Sequence, residues 1–118
     1  MFQLVFYEDS NGDSPVYDLI SSLDQSDSKD AKIQLKQIMF QLDILQRLGT
    51  RAPKNYVEHI WGDIWQVRAG KNRIFFFFWK DDHFVLLHSF VKKTQQTPAS
   101  EKKQAERERI DWINRHGK

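Results

Sequence analysis

Arg68 and Arg73, separated by a short Gly-containing segment, and the adjacent pair Lys92-Lys93 are the residues of this chain best suited to chemistry. A guanidinium fork matches phosphate oxygens two at a time, and an ammonium adds a compact charge, so the four together describe a phosphate site. His88 and Phe90 stand just before the lysines. A histidine exchanges protons near neutral pH and a ring can stack on a base, which extends the reading to chemistry on a nucleic-acid backbone. A structural reading competes with this one. Each guanidinium could meet an internal carboxylate or reach solvent over a packed stem, His88 could be a hydrogen-bonded sheet residue, and Phe90 could belong to the core.

The elements that must position these residues follow from hydrophobic periodicity. Residues 2 to 7 alternate as a strand, with Phe2, Leu4 and Phe6 against Gln3, Val5 and Tyr7. Asn11-Gly12-Asp13 makes a turn, Ser14 is placed to cap a helix, and Pro15 suits its first position, with Val16, Leu19, Ile20 and Leu23 at helical spacing. A second helix begins near Asp27 or Ser28, carries Ile33, Leu35, Ile38, Met39, Leu42, Leu45 and Leu48 on one broad stripe, and ends at Gly49. Three β segments follow, roughly 56 to 68, 73 to 79 and 84 to 91, joined by the turn signals Ala69-Gly70-Lys71-Asn72 and Lys80-Asp81-Asp82-His83. Thr97-Pro98 marks the start of a final, highly charged helix over 99 to 115. The expected architecture is α+β: two N-terminal helices on an antiparallel sheet, made of the N-terminal strand and a three-stranded meander, with a C-terminal helix.

Pairing arithmetic then assigns faces. Residues summing to 141 oppose each other in the first hairpin and those summing to 163 in the second. One face receives Trp65, Val67, Ile74, Phe76, Phe78, Val85, Leu87, Ser89 and Val91, to be covered by the first two helices. The other face is graded: Ile64, Phe77 and Leu86, then Gln66, Phe75 and His88, then Arg68, Arg73 and Phe90, with Lys92 beyond. Arg68 directly opposite Arg73 is a like-charge pair that costs stability unless an anion lies between them.

Composition narrows the class. At 118 residues the chain fits one domain, 1 to 118, with one site as the default. With no cysteine, disulfides and thiolate chemistry are excluded. Histidines at 59, 83, 88 and 116 lack metal-ligand spacing, so no metal and no cofactor are expected. No apolar run approaches the ~20 residues of a membrane span, and the N-terminus lacks the pattern of a signal peptide, which leads to a cytoplasmic expectation without a membrane partner. The net charge of +2 hides an asymmetry. Residues 1 to 60 carry six Lys/Arg against nine Asp/Glu, whereas residues 61 to 118 carry twelve against seven, so the basic half could attract a polyanion.

The runs Trp65-Gln66-Val67-Arg68, Arg73-Ile74-Phe75-Phe76-Phe77 and Leu86-Leu87-His88-Ser89-Phe90-Val91-Lys92-Lys93-Thr94-Gln95, followed by the Thr97-Pro98 helix start, resemble the phage-derived HigB-like branch of the RelE/ParE toxin superfamily. The likeness covers most of the chain and is strongest over 61 to 109. It implies a RelE-like fold and the toxin of a type II toxin–antitoxin pair, an endoribonuclease that cleaves mRNA on the ribosome without a metal. It also implies a helix-turn-helix antitoxin as partner, with operator DNA contacted only through that antitoxin. In such toxins the ribose 2′-OH attacks the neighbouring phosphorus and the 5′-oxygen leaves. Carried over by position, Arg68 and Arg73 match the family's sheet arginines, and Lys92 and Lys93 its basic pair after the last strand. The tyrosine that some RelE toxins carry after this pair has no counterpart between Thr94 and Ala99. Arg73 is therefore expected to stabilise the phosphorane with Arg68 assisting, Lys93 or Lys92 to act as acid or base, and His88 to be a second candidate base. Phe90, Lys102, Lys103 and Arg107 are expected to bind RNA, against the plainer reading of Phe90 as core and the last helix as solvated surface. Two other readings share the fold: a ParE-like toxin acting by protein contact, and a degenerate toxin that only binds its partner.

Overall fold

A computed structural model describes all of residues 1 to 118. In chain order the elements are β1 (Gln3–Phe6), α1 (Pro15–Gln25), α2 (Lys29–Leu48), β2 (Val57–Trp61), β3 (Ile64–Ala69), β4 (Asn72–Phe78), β5 (His83–Val91) and α3 (Ala99–His116). They form a mixed five-stranded sheet of order β1-β5-β4-β3-β2, with β1 parallel to β5 and the other neighbours antiparallel. The expected α+β architecture is present, with two differences. The segment read as one strand over 56 to 68 is the hairpin β2–β3, folded at Gly62-Asp63, and the first strand joins the sheet in parallel. No helix is long and apolar enough to cross a membrane.

Local signals account for the helix ends. The Ser28 hydroxyl accepts from the Ala31 amide at 3.0 Å and caps α2. Ser14 holds the cap position of α1 without capping it: its hydroxyl is buried and donates to the Tyr7 carbonyl at 2.8 Å, tying α1 to the end of β1. α3 begins at Ala99 directly after Thr97-Pro98, as expected, with Pro98 in the cap position. Of the stripe expected on α2, Ile38, Leu42 and Leu45 are buried, while Ile33, Met39 and Leu48 are exposed, because α2 lies on the sheet along only part of its circumference.

The sheet is covered on both faces. On one, Val57, Val67, Ile74, Phe76, Phe84 and Leu86 pack against Val16 of α1 and Ile38, Leu42 and Leu45 of α2. On the other, Ile64, Phe75, Phe77, Val85 and Leu87 pack against Ala105 and Trp112 of α3. Burying each large apolar side chain contributes roughly 1.5–3 kcal/mol, so both layers are needed to hold a sheet this aromatic. The far end of α3 is secured to β1's end, where the Tyr7 hydroxyl donates to Asp111 Oδ2 at 2.7 Å and Arg115 donates to the Glu8 carbonyl.

The first hairpin follows the expected register, with Arg68 opposite Arg73 and Gln66 opposite Phe75. The second does not. Arg73 opposes Phe90 and Ile74 opposes Ser89 as expected, but Phe76 opposes Leu86 and Phe77 opposes Val85. One extra residue on β5 forms a bulge, Leu87 and His88 against Phe75, and it exchanges the faces of residues 84 to 87. Val85 and Leu87 therefore face α3 and Leu86 faces α1 and α2, the reverse of the assignment from pairing arithmetic. A uniform ladder cannot accommodate such an insertion, which is why numbering alone misplaces these residues.

Gly49, which ends α2, has φ 61° and ψ −142°, and a Cβ there would stand 2.5 Å from the Phe2 ring. Both the dihedrals and the space demand glycine. Gly49→Ala is expected to lower the unfolding free energy by about 1–3 kcal/mol, read from denaturant titration; a stability equal to that of the parent would contradict this role for the Phe2 contact.

Candidate phosphate-binding cleft

The last row of β3, β4 and β5 on the α3 face ends in cations. Arg68 and Arg73 are direct cross-strand partners flanking the two-residue Gly70-Lys71 turn. Gly70 has φ 61°, and the Gln37 side chain of α2 lies against it, so the tight turn depends on the missing Cβ. Arg73 is pinned to this turn, its Nη1 donating to the Gly70 carbonyl at 2.7 Å and the Asn72 carbonyl at 3.1 Å. Burial, and next the charge of Arg68, hold the Arg73 guanidinium below its ordinary value, with Glu58 pulling the other way. It stays cationic, since a guanidinium does not lose its proton in proteins.

The lysine pair is brought in by an extension of the ladder, in which the Lys92 amide donates to the Lys71 carbonyl at 3.1 Å. Beyond it the Thr94 hydroxyl donates to the Gln96 carbonyl at 2.8 Å and turns the chain. The result is a cleft of about 490 Å³ lined by Arg68, Arg73, Lys92, Lys93, Thr94 and Gln95. None of the four cations makes an ion pair with a carboxylate; the pairs of the molecule fall on Arg47, Lys71, His88, Arg109 and Arg115. The alternative in which internal acids absorb these charges is therefore not what the structure shows. Four cations and the Gln95 amide around an open cleft attract and hydrogen-bond an anion with several oxygens.

Other expected site residues lie elsewhere. His88 does not line the cleft. It is 3% exposed, its Nδ1 lies 2.6 Å from Glu108 Oε1, and its Nε2 lies 2.9 Å from Glu101 Oε1. Carboxylates only accept, so both ring nitrogens donate and the ring is an imidazolium with no nitrogen free to take a proton. Burial pushes its pKa down, but the hydrogen bonds and charges of Glu108 and Glu101 outweigh that and raise it. His88 thus anchors α3 to β5, and its expectation as a base is corrected. Phe90 is half-buried and packs its ring on Phe75 at 5.2 Å, on the edge of the second core layer, so it serves packing. Lys102 and Lys103 line a separate recess with Trp61 and Ala99, and Arg107 is exposed without an ion pair.

Thr94 and Gln95 are cleft residues that charge-based reading passes over, although they directly continue the Lys92-Lys93 run. The same reading passes over Glu101 and Glu108. Their signal was a seven-residue spacing that puts both carboxylates on one face of a helix.

A scan of protein families matches residues 22–109 to the description "Phage derived protein Gp49-like (DUF891)", a span that contains every cleft residue. The chain belongs to this Gp49-like family. The family is a toxin-like group of the RelE kind, in keeping with the sheet, helices and basic cleft. No curated protein matches the chain.

The anchor gives this Gp49-like protein a defined pH response. Because the folded pKa of His88 is raised, its stabilisation is complete below the ordinary value of 6.5 and is lost as pH climbs through the raised folded value. Unfolding free energy is expected to fall as pH rises from 6.5 through the raised folded value. In His88→Gln, denaturant titrations over the same range should show a flatter profile, and an identical slope would remove His88 as its source.

Proposed function

We propose that the chain is the toxin of a type II toxin–antitoxin pair, a metal-independent endoribonuclease of the HigB type that cleaves mRNA, bound to the ribosome, in the cytoplasm. The observation that carries this reading is the convergence of Arg68, Arg73, Lys92 and Lys93, free of carboxylates, on one cleft. Family membership supports it. The partners under this reading are mRNA and the ribosome, a helix-turn-helix antitoxin, and operator DNA only through that antitoxin.

The chemistry is a transesterification within the RNA. The 2′-oxygen forms a bond to the adjacent phosphorus, the bond to the 5′-oxygen breaks, and the products are a 2′,3′-cyclic phosphate and a 5′-hydroxyl. Charge on the non-bridging oxygens rises at the phosphorane, and preorganised guanidinium groups answer that rise without reorganising. Arg73, fixed by two backbone carbonyls, takes this role, with Arg68 opposite it. Under this reading the lysine pair handles both protons, one of Lys93 and Lys92 taking that of the 2′-OH and the other giving one to the leaving 5′-oxygen, while the Gln95 amide donates to the RNA backbone.

Cleavage in a translation extract, mapped by primer extension, tests the reading. The parent chain is expected to cut message, and Arg73→Ala to slow cutting by roughly 10²–10³-fold with its melting curve preserved. Lys93→Met provides a second variant on an exposed residue, expected to lose activity without loss of fold. Intact message with the parent chain, together with inhibition of DNA gyrase, would replace the nuclease by a toxin acting through protein contact.

A further inference from the structure

Trp61 is 45% exposed at the end of β2, and it forms a recess of about 200 Å³ with Ala99, Lys102 and Lys103 of α3. Its position is built by a second irregularity of the sheet. His59 opposes Trp65, but Trp61 opposes Ile64, so one extra residue on β2 carries the indole to the face that Ile64 shares with α3. Regular alternation would have sent it toward α1 and α2. The adjoining turn is held to α3 by Asp63, 3.4 Å from Arg109, so the aromatic wall stands on a fixed support. Lys102 and Lys103 make no ion pair with any carboxylate, although α3 carries Glu101, Glu106, Glu108 and Asp111. Those four acids are turned to His88, Arg109, Tyr7 and Arg115.

We infer that this recess is a second RNA subsite, in which one unpaired base stacks on Trp61 while Lys102 and Lys103 take the flanking phosphates. The inference rests on the nuclease reading above and extends it from the scissile linkage to the strand beside it. An exposed indole supplies a stacking surface for any base, and two uncompensated amines supply sequence-independent backbone contacts. The recess is also close to the cleft. Only Gln96, Thr97 and Pro98 separate Gln95 of the cleft from Ala99 of the recess, a chain distance of at most about 14 Å. A strand whose backbone enters among Arg68, Arg73, Lys92 and Lys93 can therefore set a neighbouring base on Trp61. The chemistry favours nucleic acid over a protein partner, because an apolar peptide would not need the lysines and an acidic one would not need the indole.

The test uses the full chain and uncleavable 2′-O-methyl RNA, as a dinucleotide and as an oligomer of about ten residues, a length within the usual single-strand site size. Affinity for the longer oligomer is expected to fall about fivefold to a hundredfold in Trp61→Ala, with the dinucleotide bound as by the parent. Trp61→Phe should keep most of the affinity, since a phenyl ring still stacks, while losing the fluorescence quench that binding produces in the parent. Lys102→Met with Lys103→Met should flatten the salt dependence for the longer oligomer only. Trp61→Ala binding the longer oligomer as tightly as the parent overturns the subsite alone, and leaves the exposed indole to a protein partner. Failure of the parent to bind either RNA removes the nuclease reading and this extension together.

Discussion

The organising constraint of this protein is the confinement of four like charges at one end of a sheet face. Arg68 and Arg73 are held side by side by a two-residue turn, and Lys92 and Lys93 are drawn in by continuation of the neighbouring strand. No carboxylate forms an ion pair with any of them, and only Glu58, from a distance, offsets part of the repulsion at Arg73. The surrounding structure must therefore hold them, and it does so with apolar layers on both faces of the sheet and with backbone carbonyls that fix Arg73. An anion with several oxygens relieves the repulsion when it enters, so the crowding of like charge and the attraction for phosphate are one property.

The C-terminal helix makes this segregation possible. It is rich in acids, and acids close to the cleft would neutralise it. Glu101 and Glu108 instead enclose His88, Glu106 holds Arg109, and Asp111 joins Tyr7 and Arg115. Each carboxylate is consumed in attaching α3 to the sheet or in ordering the helix surface. The bulge at Leu87-His88 is part of the same arrangement, since it places the imidazole and Leu87 together on the α3 face. One becomes the polar anchor and the other joins the apolar layer.

How much of this was legible beforehand depended on the range of the interactions concerned. The helices, the turns at Gly70-Lys71 and near Asp81-Asp82, and the register that sets Arg68 against Arg73 are written in short-range signals: caps, periodicity and the spacing across a tight turn. Those signals were enough to gather Arg68, Arg73, Lys92 and Lys93 into one candidate site. The parallel pairing of β1 and the two bulges were not legible. The pairing of β1 is decided by a partner distant in the chain, and each bulge by an inserted residue that costs little locally but reverses the faces of its neighbours, whereas Gly62-Asp63 is a local two-residue turn signal that reading 56 to 68 as one strand passes over.

By itself, then, the sequence determined the helices, most of the strands, the basic second half and the four cations that the meander brings together, because local backbone preferences and alternation fix these. Only the tertiary structure decided whether those cations would be neutralised, and what His88 and Trp61 would do. Whether a charged group is spent or left free depends on which acids reach it in space. That is settled by how α3 lies across the sheet, where Glu101 and Glu108 find His88 and no acid lines the cleft.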